Sequence, residues 1–286
     1  MRSIETNGVT LAVDDRGDGE PVVLLHGFPE LAYSWRHQVP ALVDAGYRVI
    51  SFDQRGYGAS SKPHGIEQYT LQHLVGDVVG VLDRLGIERS TIVGHDWGSI
   101  VAWTAAVTHP DRVERVVSLN VPYRGACFGF PTTKVLAEQL ADRFSYVLMF
   151  QQEGAAEAGF AADPEGWLMA FYAGGARGET YMTDEEFSTY AEAFKAGGIT
   201  GPVNWYRNID TNAAALAETV DADITQPVLM IAADDDPVLP LSLTEGMDRW
   251  ASNLEVVVIE GSGHWTQQQQ PDAVNAALIG WLDRTG

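Results

Sequence analysis

Six short runs along the chain are apolar with little polar interruption: "PVVLLH" (21–26), "RVISFD" (48–53), "TIVGH" (91–95), "RVVSLN" (115–120), "PVLMIAA" (227–233) and "EVVVIE" (255–260). A strand with one wet face alternates in polarity, so runs of this kind predict strands covered on both faces, as in a parallel sheet. Helical periodicity lies between them: behind Thr70, a good N-cap, Leu71, Leu74, Val75, Val78, Leu82 and Leu85 recur at three- and four-residue steps. Strand and helix alternate, which predicts the α/β class with a mostly parallel central sheet flanked by helices. From about Pro122 to Asn212 the strand signals fade. Aromatic and glycine-rich stretches replace them, and "TDEEF" (183–187) carries a capping box, Thr183 with Glu186, that opens a helix. The pattern predicts an α/β core built from residues 1–122 and 213–286, interrupted by an inserted helical cap over 123–212.

The chemistry begins at "TIVGHDWGSI" (91–100), a strand, a sharp turn and a helix. Turns of the form Gly-x-nucleophile-x-Gly normally present a serine, and Asp96 occupies that position here. An aspartate before a helix also reads as an ordinary N-cap. Gly94 and Gly98, two residues either side, are what the cramped turn requires and a cap does not. A carboxylate, with an ordinary pKa of about 4, is an anion at neutral pH without help from a base, and a helix N-terminus favours it further. It can attack an electrophilic sp³ carbon and form an ester whose acyl carbon belongs to the enzyme. Freeing Asp96 again needs a water-activating base and an oxyanion hole, the machinery that serves a serine in other enzymes.

On such a scaffold the chain order is nucleophile, acid, histidine. "EGSGHWTQ" (260–267) puts His264 in a glycine-rich loop at the carboxyl end of what reads as a central strand, where open α/β sheets place their sites. His26 and His95, beside the early loop and the nucleophile, read as structural. For the orienting acid, "IAADDDPVLP" (231–240) offers Asp234, Asp235 and Asp236, which spacing does not separate. The end of "RVVSLN" holds Asn120, which cannot carry the charge that steadies an imidazolium, so the role falls to the later loop. The oxyanion hole needs two backbone N–H groups, and Trp97 after the nucleophile and Phe28 in "LLHGFPE" (24–30) are placed to supply them, with Pro29 holding the turn. Loss of one such donor typically removes about 2.7–4 kcal/mol of transition-state stabilisation.

Composition narrows the partners. With 45% hydrophobic residues, 286 residues can bury a large core. A formal charge of −21 disfavours nucleic acid and anionic membranes as partners and leaves a neutral small molecule as the easier one. No apolar stretch approaches a bilayer span and "MRSIETNGVT" has no signal-peptide block, so a soluble, cytoplasmic protein is expected. The single cysteine, Cys127, cannot form an internal disulfide. No zinc-type ligand spacing or H-E-x-x-H occurs, and neither metal nor cofactor is expected.

With these residues assembled, the sequence resembles the α/β-hydrolase-fold epoxide hydrolases that use an aspartate nucleophile. The resemblance runs through "HGFPELAYSWRHQVPAL", "DQRGYGAS", "GHDWGS", "SLNVP", "GPVNWYRN", "DPVLP" and "GHWTQ", in that order along nearly the whole chain. It implies Asp236 as the orienting acid, and two cap tyrosines that protonate the epoxide oxygen: Tyr206 in "NWYRN" and Tyr146 in "FSYVLMFQ". Phenols with pKa near 10 stay protonated at working pH and suit a leaving alkoxide. The expected product is a vicinal diol. The pocket is expected between core and cap, lined by Phe28, Trp97 and Trp205, which favours apolar or aryl epoxides. A homodimer is left open. Two other readings compete. Haloalkane and haloacid dehalogenases share the aspartate and the following tryptophan, but the haloalkane enzymes tend to hold halide with a side-chain N–H where this chain has Phe28, and halide loss needs no phenols. A non-catalytic small-molecule receptor on a hydrolase scaffold would be expected to lose the nucleophile, base or acid, and all three candidates are present.

Overall fold

The computed structural model describes residues 1–123, 131–172, 181–219 and 222–286. Cys127 lies outside them. Eight strands form one sheet: β1 (Arg2–Thr6), β2 (Val9–Arg16), β3 (Pro21–Leu25), β4 (Arg48–Asp53), β5 (Ser90–His95), β6 (Val113–Leu119), β7 (Val228–Ala233) and β8 (Leu254–Ile259). Their order across the sheet is β1-β2-β4-β3-β5-β6-β7-β8. Every pairing from β4 to β8 is parallel, and β1 and β2 are antiparallel. This is the expected α/β class.

The helices α1 (Gln38–Asp44), α2 (Leu71–Leu85), α3 (Trp97–Thr108), α11 (Thr266–Gln269) and α12 (Pro271–Thr285) accompany the sheet. Alternate strand residues sort into two apolar clusters, as period-two side chains must. Val22, Leu24, Val93, Val117, Leu229 and Ile231 pack with Trp35, Leu42, Val274 and Leu278. Val23, Leu25, Ile92, Val116, Val228 and Met230 face the opposite way, with Val75, Val78, Val101 and Trp103. Between β6 and β7 the described residues hold only helix and loop: α4 (Thr133–Gln139), α5 (Ala141–Phe150), α6 (Ala155–Ala162), α7 (Pro164–Tyr172), α8 (Asp184–Gly197), α9 (Thr200–Arg207) and α10 (Ile209–Ala215). Among the described residues no helix is long and apolar enough to cross a membrane.

Four details depart from or refine the sequence reading. The hairpin β1–β2 is an addition: Asn7 and Gly8 take positive φ values of 47° and 75°, the turn chemistry that joins two antiparallel strands tightly. β8 is the edge of the sheet, so the loop carrying His264 follows an edge strand and not a central one. Val256 and Val258 are accordingly 41% and 40% exposed, against the expectation of cover on both faces. The first backbone N–H of α2, that of Leu71, is capped by Asn212 Oδ1 at 2.9 Å, while the Thr70 hydroxyl turns to His73. The capping box of Thr183 and Glu186 is present as expected.

One buried ion pair joins the sheet to these helices. Arg55, just past β4, meets Asp77 of α2 through Nη2 at 2.6 Å and Nε at 2.8 Å, and its carbonyl accepts the Trp205 indole N–H from α9 at 3.1 Å. Both charged side chains are almost fully buried. Asp77→Ala leaves a buried, unpaired guanidinium and is expected to cost about 3–5 kcal/mol in urea unfolding. An unchanged unfolding midpoint would show the pair to be dispensable.

Candidate active site

The end of β5 turns into α3 through a single residue. Asp96 sits at φ 50°, ψ −121°, a positive-φ conformation that a non-glycine residue adopts at a cost. The turn closes because its neighbours lack side chains: a Cβ on Gly94 would lie 2.3 Å from Gly98 backbone, and one on Gly98 would lie 2.0 Å from the Leu25 carbonyl oxygen. The Asp96 carboxylate is thereby presented at the N-terminus of α3, with about 10% of its side chain accessible.

Three other strand ends converge on it. From the loop after β3, the Phe28 N–H donates to Asp96 Oδ1 at 2.7 Å, and Trp97 places its own N–H at the first position of α3. From the loop after β8, His264 brings Nε2 to 3.6 Å from Asp96 Oδ2. Its Nδ1 lies 2.9 Å from Asp236 Oδ2, in the loop after β7. Of the three adjacent aspartates, Asp234 and Asp235 are exposed and Asp236 is buried. Asp236 Oδ1 also accepts the N–H groups of Val238 and Leu239 at 2.8 and 3.0 Å. Burial by itself would lower the His264 pKa. The charge of Asp236 and its hydrogen bond, joined by those of Asp96, outweigh burial and raise it to about 10. Asp236 is held below its ordinary value: burial opposes this, and the His264 charge and hydrogen bond overcome it.

Tyr146 of α5 and Tyr206 of α9 stand side by side, ring centroids 6.0 Å apart. Burial raises both phenols above their ordinary pKa, and the negative charge of Asp96 pushes in the same direction. Tyr146 nonetheless keeps accessible surface. Phe28 packs edge-on against Tyr206, Phe171, Phe150 and Trp167, at 5.0, 5.3, 5.5 and 6.1 Å. Trp97 is edge-on to Tyr206 at 5.1 Å. Trp205, expected on the pocket wall, has no accessible surface: it stands edge-on to Trp97 and Tyr57, and its N–H is taken by Arg55. Phe150, Trp167 and Phe171 are aromatic neighbours that the motifs did not single out.

Comparison with known proteins shows the fold and the family. The family described as alpha/beta hydrolase fold matches residues 20–271. Epoxide hydrolase A of Mycobacterium tuberculosis is 41% identical, covering 98% of this chain and 96% of that one. The chain belongs to the α/β-hydrolase-fold epoxide hydrolase family. The crystal structure of Epoxide Hydrolase A from Mycobacterium thermoresistibile superposes with a TM-score of 0.92 at 41% identity, covering 99% of this chain and 97% of that one. Bifunctional epoxide hydrolase 2 of Mus musculus is 37% identical over 96% of this chain, which spans 54% of that longer protein.

Beside the nucleophile lies a second buried pair, His95 with Glu30. His95, next to the nucleophile, has Nδ1 2.7 Å from Glu30 Oε2 and Nε2 2.7 Å from the His264 carbonyl oxygen. Both ring nitrogens face acceptors. Glu30 in turn accepts from Gly27 N–H at 2.9 Å, Gln267 Nε2 at 2.9 Å and Gln268 Nε2 at 2.8 Å, so its carboxylate is surrounded by donors. The two side chains pair where neither has accessible surface. Burial would raise the Glu30 pKa, and its contact with His95, together with the Gly27 N–H, brings it down to about 2. The pair ties the loop of Phe28, the nucleophile turn and the loop of His264 to one another. Glu30→Gln is expected to destabilise the fold by about 3–5 kcal/mol at neutral pH. A depressed carboxyl stabilises fully above its unfolded value, so the gap between parent and variant should shrink as pH falls from about 4.5 towards about 2. Urea unfolding across that range checks it; a gap independent of pH would contradict the depressed carboxyl.

Proposed function

We propose that the protein is a cytoplasmic, cofactor-independent epoxide hydrolase that converts an epoxide and water to a vicinal diol through an ester on Asp96. The observation that carries this reading is the pair of adjacent phenols, Tyr146 and Tyr206, of which Tyr206 packs edge-on against both Phe28 and Trp97, the two residues beside the Asp96 carboxylate. The helices over 123–212 act as the cap that supplies them. The naming of relatives up to 41% identical as epoxide hydrolases supports it.

The contacts divide the reaction in two. Asp96 Oδ1 is held by the Phe28 N–H, which leaves Oδ2 as the attacking oxygen. Oδ2 displaces the ring oxygen from one epoxide carbon, and the alkoxide that develops takes hydrogen bonds and a proton from the phenols. Once Asp96 is an ester its charge is gone, and with it part of what kept His264 protonated. The imidazole, still oriented by Asp236, then takes a proton from water, whose oxygen adds to the acyl carbon of Asp96. The Phe28 and Trp97 N–H groups steady the oxyanion that forms on Oδ1. Collapse expels the diol oxygen, which takes the remaining proton of that water; His264 keeps the other, having given its resting proton to the phenolate after ring opening, and phenol, imidazolium and carboxylate are all restored.

A dehalogenase would share the first displacement, but a halide leaves without a proton and gives two phenols nothing to do. The Phe28 side chain itself has no N–H to offer a halide at that position. The expected result is turnover of styrene oxide to its diol by the parent protein, and a loss of about 10²–10⁴-fold when Tyr146 and Tyr206 are both changed to Phe. Diol release at the parent rate by the double variant would remove the phenols from the mechanism.

A further inference from the structure

β6 ends at Leu119, and the next residue, Asn120, takes a left-handed backbone with φ 67°. Its N–H donates to the Ile231 carbonyl of β7 at 2.9 Å, and only 2% of the residue is exposed. The side chain lies where the ends of β6, β7 and β8 meet. Nδ2 donates to Asp236 Oδ2 at 2.8 Å and, at 3.4 Å, to the Gly263 carbonyl. Oδ1 accepts from the Thr266 hydroxyl at 2.8 Å. One amide therefore grips the acid loop and also the base loop on either side of His264.

Asn120 was set aside above because it cannot carry a charge. The structure gives it a different task. Asp236 Oδ2 has two donors, His264 Nδ1 and Asn120 Nδ2, while the N–H groups of Val238 and Leu239 pin Oδ1. Without Asn120 the carboxylate keeps its backbone anchors but loses the contact that fixes Oδ2 from the side away from the base. The His264 loop loses its tether at the same time.

We propose that Asn120 is a positioning residue for ester hydrolysis alone, holding Asp236 and the His264 loop in register while the imidazole activates water, and that ring opening does not depend on it. The inference rests on the epoxide hydrolase reading above. It predicts a split between the two steps because Asp96 attacks as a preformed anion, held by Phe28 and facing His264, and has no bond to Asn120. In hydrolysis the water O–H bond breaks towards His264 Nε2, and the imidazolium so formed depends on Asp236. A residue that merely closes the end of β6 would slow both steps together or neither.

Single-turnover quench with styrene oxide, reading protein mass and diol against time, separates the steps. Asn120→Gly removes the amide and suits the positive φ. Ester formation is expected within about twofold of the parent, while hydrolysis falls about tenfold or more, the scale of one hydrogen bond to a charged group, so the ester accumulates. If that variant does not fold, Thr266→Val, which frees Asn120 Oδ1, should slow hydrolysis by about threefold or more with ring opening unchanged. Equal slowing of both steps, or hydrolysis at the parent rate, overturns the inference. A parent protein that never carries an ester on Asp96 overturns the functional reading and this one with it, and that outcome is visible in the parent alone.

Discussion

Asp96 can present its carboxylate because no side chain stands at positions 94 or 98. The turn brings α3 so close to the ends of β3 and β5 that a methyl group at either glycine would collide with backbone. That closeness also lets the Phe28 N–H reach Asp96 Oδ1 at 2.7 Å. The strained φ of 50° at Asp96 is the cost, on the order of 1–3 kcal/mol, and the packed sheet around it sustains the conformation. The remaining groups of the site are arranged with respect to this one fixed oxygen pair.

Charge balance is the second constraint. The site gathers three buried carboxylates, Glu30, Asp96 and Asp236, within a protein whose formal charge is already −21. Each has a nearby histidine: His95 pairs with Glu30, and His264 lies between Asp236 and Asp96. The two pairs differ in use. His95 has both nitrogens committed to fixed partners, Glu30 and the His264 carbonyl oxygen. His264 has one nitrogen committed and the other facing Asp96, the group whose charge changes during the reaction. The same residue type therefore serves as a fixed link between loops in one place and as a base in the other.

Much of this was readable before any coordinates. The strand runs, the Asp96 turn and the capping box of Thr183 announce themselves because each depends on near neighbours in sequence. What was not readable depends on who covers whom. "EVVVIE" has the composition of an interior strand, and nothing local says that β8 ends the sheet. Spacing left three aspartates equivalent; burial singles out Asp236. The role of His95 as a link needs Glu30, 65 residues earlier, and the carbonyl of His264, 169 residues later. The N-terminal hairpin is a different case. Its Asn7-Gly8 turn is a local signal, but the strands it joins are not unbroken apolar runs.

The central claim is that Asp96 forms an ester at an epoxide carbon and that His264 is needed to release it. The most direct test is the intact mass of His264→Gln after separate exposure to styrene oxide and to a bromoalkane, with the modified peptide mapped. A hydroxyalkyl adduct from the epoxide, located on Asp96, is the predicted result. An adduct from the bromoalkane alone, or no adduct from either, would contradict it.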